Sequence, residues 1–182
     1  MSGKLILVVG PSGAGKDSVI CYAMEKFKDD PQFVFPRRVI TRQADVKAED
    51  HATMDVPAFL ALRSQGGFAL SWQAHDLHYG VPAQINNELA EGRHVIVNVS
   101  RTILPDMPKL YPNYLVVEIT ASSEILATRI AARGRATDGN VAQRATRKVD
   151  PPSPIACHFI IINETSLVEA GEMLCALVIA NA

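Results

Sequence analysis

Residues 4–18 read KLILVVGPSGAGKDS, an apolar run stopped by the turn Gly10-Pro11-Ser12-Gly13-Ala14-Gly15 and followed by Lys16, Asp17 and Ser18. The unbroken apolar stretch at 4–9 suits a strand buried on both faces, as in a parallel sheet. Beyond the turn, Val19, Ile20, Ala23, Met24 and Phe27 recur at helical spacing, which predicts a helix over 16–28 that Pro31 closes. Between a buried strand and a helix, GxxxxGK lets backbone N–H groups and the positive end of the helix surround a polyphosphate. Residues 10–18 are therefore expected to hold ATP, with Lys16 on its β- and γ-phosphates. A chance glycine-rich turn is the competing reading, and the strand and helix on either side count against it.

The residue after the lysine of this motif is normally Ser or Thr, whose hydroxyl binds Mg²⁺; here it is Asp17. A carboxylate is itself a hard oxygen ligand, so Asp17 is the candidate Mg²⁺ ligand. The plainer alternative is that it favours the first helical turn through the helix dipole.

Further strands are expected at 37–41, 68–73, 77–79, 94–99, 114–120 and 158–162, with helices at 57–62, 82–90, 122–133 and 166–180. Strands alternating with helices mean an α/β fold of the P-loop NTPase kind, a parallel sheet flanked by helices. The stretches 37–80 and 134–150 break the alternation and are expected to cover substrates. One domain of 182 residues results, with its core in 1–36, 81–133 and 151–182.

A net charge of −1 excludes a generally basic surface that coats nucleic acid. No apolar run approaches the ~18 residues of a membrane span, and the first residues pass into a strand without the regions of a targeting segment. A cytoplasmic protein acting on small molecules is expected, with neither nucleic acid nor membrane as partner. Cys21, Cys157 and Cys175 lack CxxC spacing and read as small apolar core residues of a reducing compartment. His51, His75 and His78 read as surface or turn residues, with contact to acceptor phosphate or ribose hydroxyls as the alternative.

Nine of eleven arginines lie in three places: Arg37, Arg38 and Arg42; Arg101; and Arg129, Arg133, Arg135, Arg144 and Arg147. Guanidinium groups match phosphate oxygens bidentately, so these clusters are candidate anion sites rather than solvated surface. Arg129 and Arg133 share a helix face and lead into Gly134-Arg135, with Arg144 beyond. A glycine-hinged loop bearing cations suits a lid that excludes water and surrounds a transferring phosphoryl group. Lys16, Arg129, Arg133 and Arg144 are the candidate catalytic residues.

GPSGAGK, Thr41-Arg42, Tyr79-Gly80, the strand at 94–99 and the RxxxRG…R run occur in the order seen in guanylate kinases. Over nearly the whole chain the sequence resembles that family. The resemblance implies a guanylate-kinase-like fold with an acceptor-binding subdomain at about 37–80 and a lid at about 134–150. It also implies that Arg42 and Tyr79 hold the acceptor phosphate, while Arg129, Arg133 and Arg144 take nucleotide and transfer roles.

The departures carry as much information. Guanylate kinases read guanine with a carboxylate before the YGT tyrosine and an aspartate ending the later strand; here Ser71 and Asn98 stand there. Asp45 lies near the place of the family's second phosphate arginine. Guanine presents N–H donors, and each hydrogen bond to a charged acceptor is worth ~1.5–3 kcal/mol. GMP is therefore a poor fit. Arg38 and Arg101, with Arg37, suit a more anionic acceptor, so Arg38, Arg42, Ser71, Tyr79, Asn98 and Arg101 are the candidate acceptor contacts. GPSGAGKDS, ITR, SWQA, YGV and VNVSR together resemble the ribose 1,5-bisphosphate phosphokinases. That resemblance implies formation of 5-phosphoribosyl 1-diphosphate from ribose 1,5-bisphosphate and ATP in phosphonate breakdown. The residues alone reach only an acceptor more anionic than GMP. A guanylate kinase with altered base contacts and a non-catalytic binding module remain as alternatives; Lys16 and the lid arginines argue against the module.

Overall fold

A computed structural model describes residues 2–42, 51–74, 76–133 and 158–182. The apolar run becomes β1 (Leu5–Val9), with all five residues buried. β1 lies at the centre of a five-stranded sheet in which every pairing is parallel. On one side lie β7 (His94–Asn98) and then β2 (Phe33–Val34); on the other lie β8 (Tyr114–Thr120) and then β9 (Phe159–Ile162).

Because side chains alternate along each strand, this sheet has two cores. Ile6 and Val8 join Ile96, Val117 and Ile119 beneath α1 (Lys16–Lys26) and α6 (Leu167–Asn181), which contribute Val19, Ala23, Leu174 and Val178. On the other face, Leu5, Leu7 and Val9 join Val95, Val97 and Val116. That core is closed by α3 (Ile85–Ala90), by a 3-10 helix (Arg101–Asp106) running into α4 (Met107–Leu110), and by a second sheet. α5 (Ser123–Arg133) follows β8. Among the described residues no helix is long and apolar enough to cross a membrane.

The second sheet takes up the stretch that breaks the alternation. Its four strands, in spatial order, are β4 (Ala52–Thr53), β3 (Val39–Ile40), β6 (Leu77–Pro82) and β5 (Phe68–Ala74). β3 and β4 run parallel, and the other pairings are antiparallel. α2 (Val56–Ser64) covers one face, its first turn capped by Asp55, which accepts from the Ala58 N–H at 2.8 Å. Phe59 on α2 is fully buried against Phe68 and His78, at ring separations of 4.5 and 5.4 Å. Leu70, Trp72 and Val81 pack from the other face onto the core of the main sheet.

Several expectations need correction. α1 stops at Lys26, well before Pro31, because Phe27 leaves the helix and stacks on Phe33 at 4.3 Å. The helix expected from residue 82 begins at Ile85, since Pro82 is still paired with Phe68 in the sheet. β2, β4, the 3-10 helix and α4 are two to six residues long and show no readable periodicity. Cys175 is buried, but Cys21 is exposed; Cys157 lies outside the described residues. His51 is not a surface residue: only 1% of it is exposed. His78 is half-buried against Phe59, and His75 lies outside the described residues.

Candidate active site

The C-terminal ends of β7, β1 and β8 lie side by side, which is where open parallel sheets place their ligands. β1 delivers the chain to Gly10, which lies so close to the Ile119 carbonyl oxygen that a Cβ would collide with it. At the other end of the turn Gly15 adopts φ 85°, a left-handed conformation, directly before α1. Lys16 folds back over the turn and donates through Nζ to the carbonyls of Gly10 and Pro11, 2.9 Å each. The ammonium is thus held across the mouth of the loop.

The loop is braced from behind by a residue that the sequence reading passed over. Asn163, 5% exposed, donates through Nδ2 to the Ala14 carbonyl at 2.8 Å. A Cβ on Gly15 would come within 2.5 Å of that same nitrogen. The Asn163 carbonyl accepts from Arg129 at 2.9 Å, so Arg129 on α5 is anchored to the brace of the nucleotide loop. The available signal was position: Asn163 ends the apolar run HFIII at the ligand end of the sheet.

On the opposite flank, Asp17 Oδ1 accepts from Asn98 Nδ2 at 2.7 Å and from the Arg38 guanidinium at 3.2 Å. Arg38 also donates to the Asn98 carbonyl at 3.2 Å. Arg38 and Asn98 are buried, while the Asp17 side chain is 39% exposed. Asp17, the candidate metal ligand, and Asn98 and Arg38, two candidate acceptor contacts, therefore form one cluster. Burying a guanidinium is costly unless a charge partner and carbonyls satisfy it, and Asp17 and Asn98 supply both.

The second sheet brings some acceptor candidates together and separates others. Ile40 pairs with Tyr79, and Tyr79 lies parallel to Trp72 with ring centroids 5.3 Å apart and planes 3° from parallel. Arg38 precedes Ile40 by two residues and so shares that face of the extended chain. Arg42 follows with its Nε buried. Ser71 pairs with Gly80, so alternation puts it on the α2 face, away from the Trp72–Tyr79 stack. Arg101 is ion-paired with Glu118 of β8 across the end of β1, and its Nε is buried without a partner among the described residues. Glu118 is a lone carboxylate inside the apolar run YLVVEIT, a sign that a buried charge needs a partner. Ser18 lies in the first turn of α1, and Arg133 ends α5. Arg144 and the whole 134–150 stretch lie outside the described residues. Among the described residues no group of three or more His, Cys, Asp or Glu side chains is arranged to hold a metal ion.

A parallel sheet that ends in a glycine-lysine phosphate loop, with a small second sheet beside it, defines a P-loop kinase of guanylate-kinase-like fold. The crystal structure of guanylate kinase from Anaplasma phagocytophilum superposes with a TM-score of 0.76, over 98% of this chain and 86% of that one. At 18% identity this likeness shows the fold alone. Ribose 1,5-bisphosphate phosphokinase of Methylobacterium radiotolerans is 43% identical over 176 residues, 97% of each chain. That of Acidiphilium cryptum is 45% identical over 170 residues, 93% of this chain and 89% of the relative. That of Bradyrhizobium diazoefficiens is 46% identical over 151 residues, 83% and 76% of the two chains. No family model matches the chain. The chain belongs to the ribose 1,5-bisphosphate phosphokinase family, and it is a phosphotransferase.

Proposed function

We propose that this enzyme transfers the γ-phosphate of ATP to ribose 1,5-bisphosphate, giving 5-phosphoribosyl 1-diphosphate and ADP in the breakdown of phosphonates. The reading rests on family membership, and one geometric observation supports it. At the end of β7, where the guanylate kinase resemblance implies a guanine-reading carboxylate, stands an amide already committed to Asp17, with the Arg38 cation beside it. Such a corner suits an anion better than the N–H edge of a base.

On this reading residues 10–18 cradle the ATP phosphates. Lys16 moves from the loop carbonyls to the β- and γ-phosphates, and Arg129, Arg133 and Arg144 gather around the phosphoryl group in flight. Arg38, Arg42 and Tyr79 hold the acceptor, with Ser71, Asn98 and Arg101 as further contacts. The acceptor's 1-phosphate oxygen attacks the γ-phosphorus; that P–O bond forms as the bond to the β-phosphate oxygen breaks and ADP leaves. A phosphate oxygen is already ionised at neutral pH, so no side chain need remove a proton. The protein's task is alignment and charge neutralisation.

Asp17 fits a Mg²⁺ role. Its carboxylate is part-exposed beside Lys16, and among the described residues Oδ2 accepts no hydrogen bond, while Oδ1 is engaged. One carboxylate plus substrate phosphates is a usual Mg²⁺ environment, and the bound ion would neutralise charge on the phosphate oxygens. We further divide the chain into a core (1–36, 81–133 and 151–182), an acceptor subdomain at about 37–80 and a lid at about 134–150. The substrates are small molecules, and cysteines without CxxC spacing fit a reducing, cytoplasmic compartment.

Measuring ADP release with ribose 1,5-bisphosphate and with GMP tests the proposal, with Lys16→Ala as the control for the nucleotide loop. The bisphosphate should be turned over and GMP hardly at all. Efficient GMP turnover would overturn the acceptor assignment.

A further inference from the structure

The Asp17 cluster joins parts of the molecule that have no reason of sequence to meet. Asp17 belongs to the nucleotide loop's helix, Asn98 ends a strand of the main sheet, and Arg38 opens the second sheet. A metal ligand alone would not need this arrangement. Oδ1 accepts from two donors, both of them on buried residues. Asn98 fixes the carboxylate's orientation, and the carboxylate neutralises a guanidinium whose side chain is only 10% exposed.

We propose that Asp17 is a positioning residue for the acceptor. It holds Arg38, and through Arg38 the leading strand of the second sheet, in the arrangement that receives a sugar carrying two phosphate groups. This inference rests on the reading that 37–80 binds the acceptor. A residue of the nucleotide loop thereby governs acceptor affinity more than ATP affinity. A hydroxyl at position 17, usual for the motif, is shorter and uncharged. It can neither reach the guanidinium nor offset its burial, so Arg38 would be released towards solvent. The same carboxylate can serve Mg²⁺ through Oδ2, and the positioning role does not depend on that.

Trp72 is the single tryptophan of the chain, stacked on Tyr79 on the face that Arg38 shares, so its fluorescence reports acceptor binding directly. Ribose 1,5-bisphosphate is titrated without ATP, in buffer containing a metal chelator, against wild type, Asp17→Ser, Arg38→Ala and the double variant. Each single change should weaken binding about 10- to 100-fold, the ratio for losing one charge-assisted hydrogen bond. The double variant should bind no worse than Arg38→Ala, because both changes remove one interaction. In Asp17→Ser, any loss of ATP affinity, measured by displacement of a fluorescent analogue, should be smaller than the loss of acceptor affinity. Asp17→Glu should recover part of the loss. Unchanged acceptor affinity in Asp17→Ser, or additive losses in the double variant, would overturn the proposal. Should Asp17→Ser fail to fold, as judged by its thermal melt, the isosteric Asp17→Asn decides by the same criteria. GMP is titrated in parallel. Tight GMP binding with no response to the bisphosphate would sink the acceptor assignment, and the same cycle run with GMP would then decide the role of Asp17.

Discussion

Asn98 donates its side-chain amide to Asp17 Oδ1 at 2.7 Å, so two departures from the guanylate kinase pattern are in contact. Asp17 replaces a hydroxyl residue and Asn98 replaces a carboxylate. Had only position 17 changed, two carboxylates would face each other at hydrogen-bond distance, with the single Arg38 guanidinium to offset both. The amide at 98 turns that repulsion into a hydrogen bond. The pair is thus one substitution in physical terms, written at two places in the chain.

A direct consequence concerns Asn98→Asp. The single variant should lose roughly 1–3 kcal/mol of stability, since it replaces a good hydrogen bond with a repelled charge. Adding Asp17→Ser should return most of that loss. Thermal unfolding of the two variants and the wild type measures it, and equal melting points for the single and double variants would refute the coupling. Any attempt to install GMP activity with Ser71→Glu and Asn98→Asp therefore needs Asp17→Ser as well.

The brace behind the nucleotide loop makes a second prediction. Asn163→Ala leaves the Ala14 carbonyl without its buried partner and should cost about 1–3 kcal/mol of stability. Because the brace touches the loop and Arg129, the kinetic damage should fall on ATP rather than on the acceptor. Initial rates with each substrate varied in turn separate the two. A rise confined to the acceptor KM would contradict the placement of Asn163.

Gly15→Ala should be more harmful than an ordinary glycine substitution. The position holds φ 85°, and its Cβ would come within 2.5 Å of Asn163 Nδ2. A left-handed conformation costs a non-glycine residue about 1–2 kcal/mol before any steric conflict. Gly66 also has a positive φ, but a Cβ there meets nothing within 4 Å. Gly66→Ala should therefore destabilise less, and comparing the melting points of the two variants checks the difference.

His94 gives the fold a dependence on pH. Its Nδ1 accepts the Lys4 backbone N–H at 3.2 Å, which requires a neutral nitrogen there. Burial, with the nearby Lys4 charge, holds its pKa below the ordinary 6.5. The unfolded chain therefore takes up the proton first, and stability falls as pH drops below 6.5 and is fully present above it. His94→Phe keeps an aromatic ring beside Phe33, now 5.8 Å from the histidine ring, but cannot titrate. Its unfolding midpoint should vary less than that of wild type between pH 5 and 7; parallel profiles would show that other groups set the slope.

The main sheet was legible because β1, β7 and β8 are built around apolar runs, and such runs make sense only when both faces are covered. The second sheet was harder to read. β4 contributes two residues and depends on a partner distant in sequence, so no local pattern marks it. His51 illustrates the same limit: its composition suggests a turn, yet the sheet buries it.

What the sequence by itself determined is the glycine-lysine P-loop and the parallel sheet behind it. Both follow from local rules: glycines where the backbone must turn left or pass close to another strand, a lysine at the helix start, and apolar residues in runs. It also held the departures from the guanylate kinase pattern at positions 17, 71 and 98. Only the tertiary structure decided what those departures mean together. Asp17, Arg38 and Asn98 span 81 positions of sequence, and their charges and hydrogen bonds can be balanced only once the loop helix, the second sheet and β7 are side by side. A charge in a sequence has no partner until the chain folds. At position 17 the fold supplies that partner, since the part-exposed Asp17 carboxylate meets the buried Arg38 guanidinium.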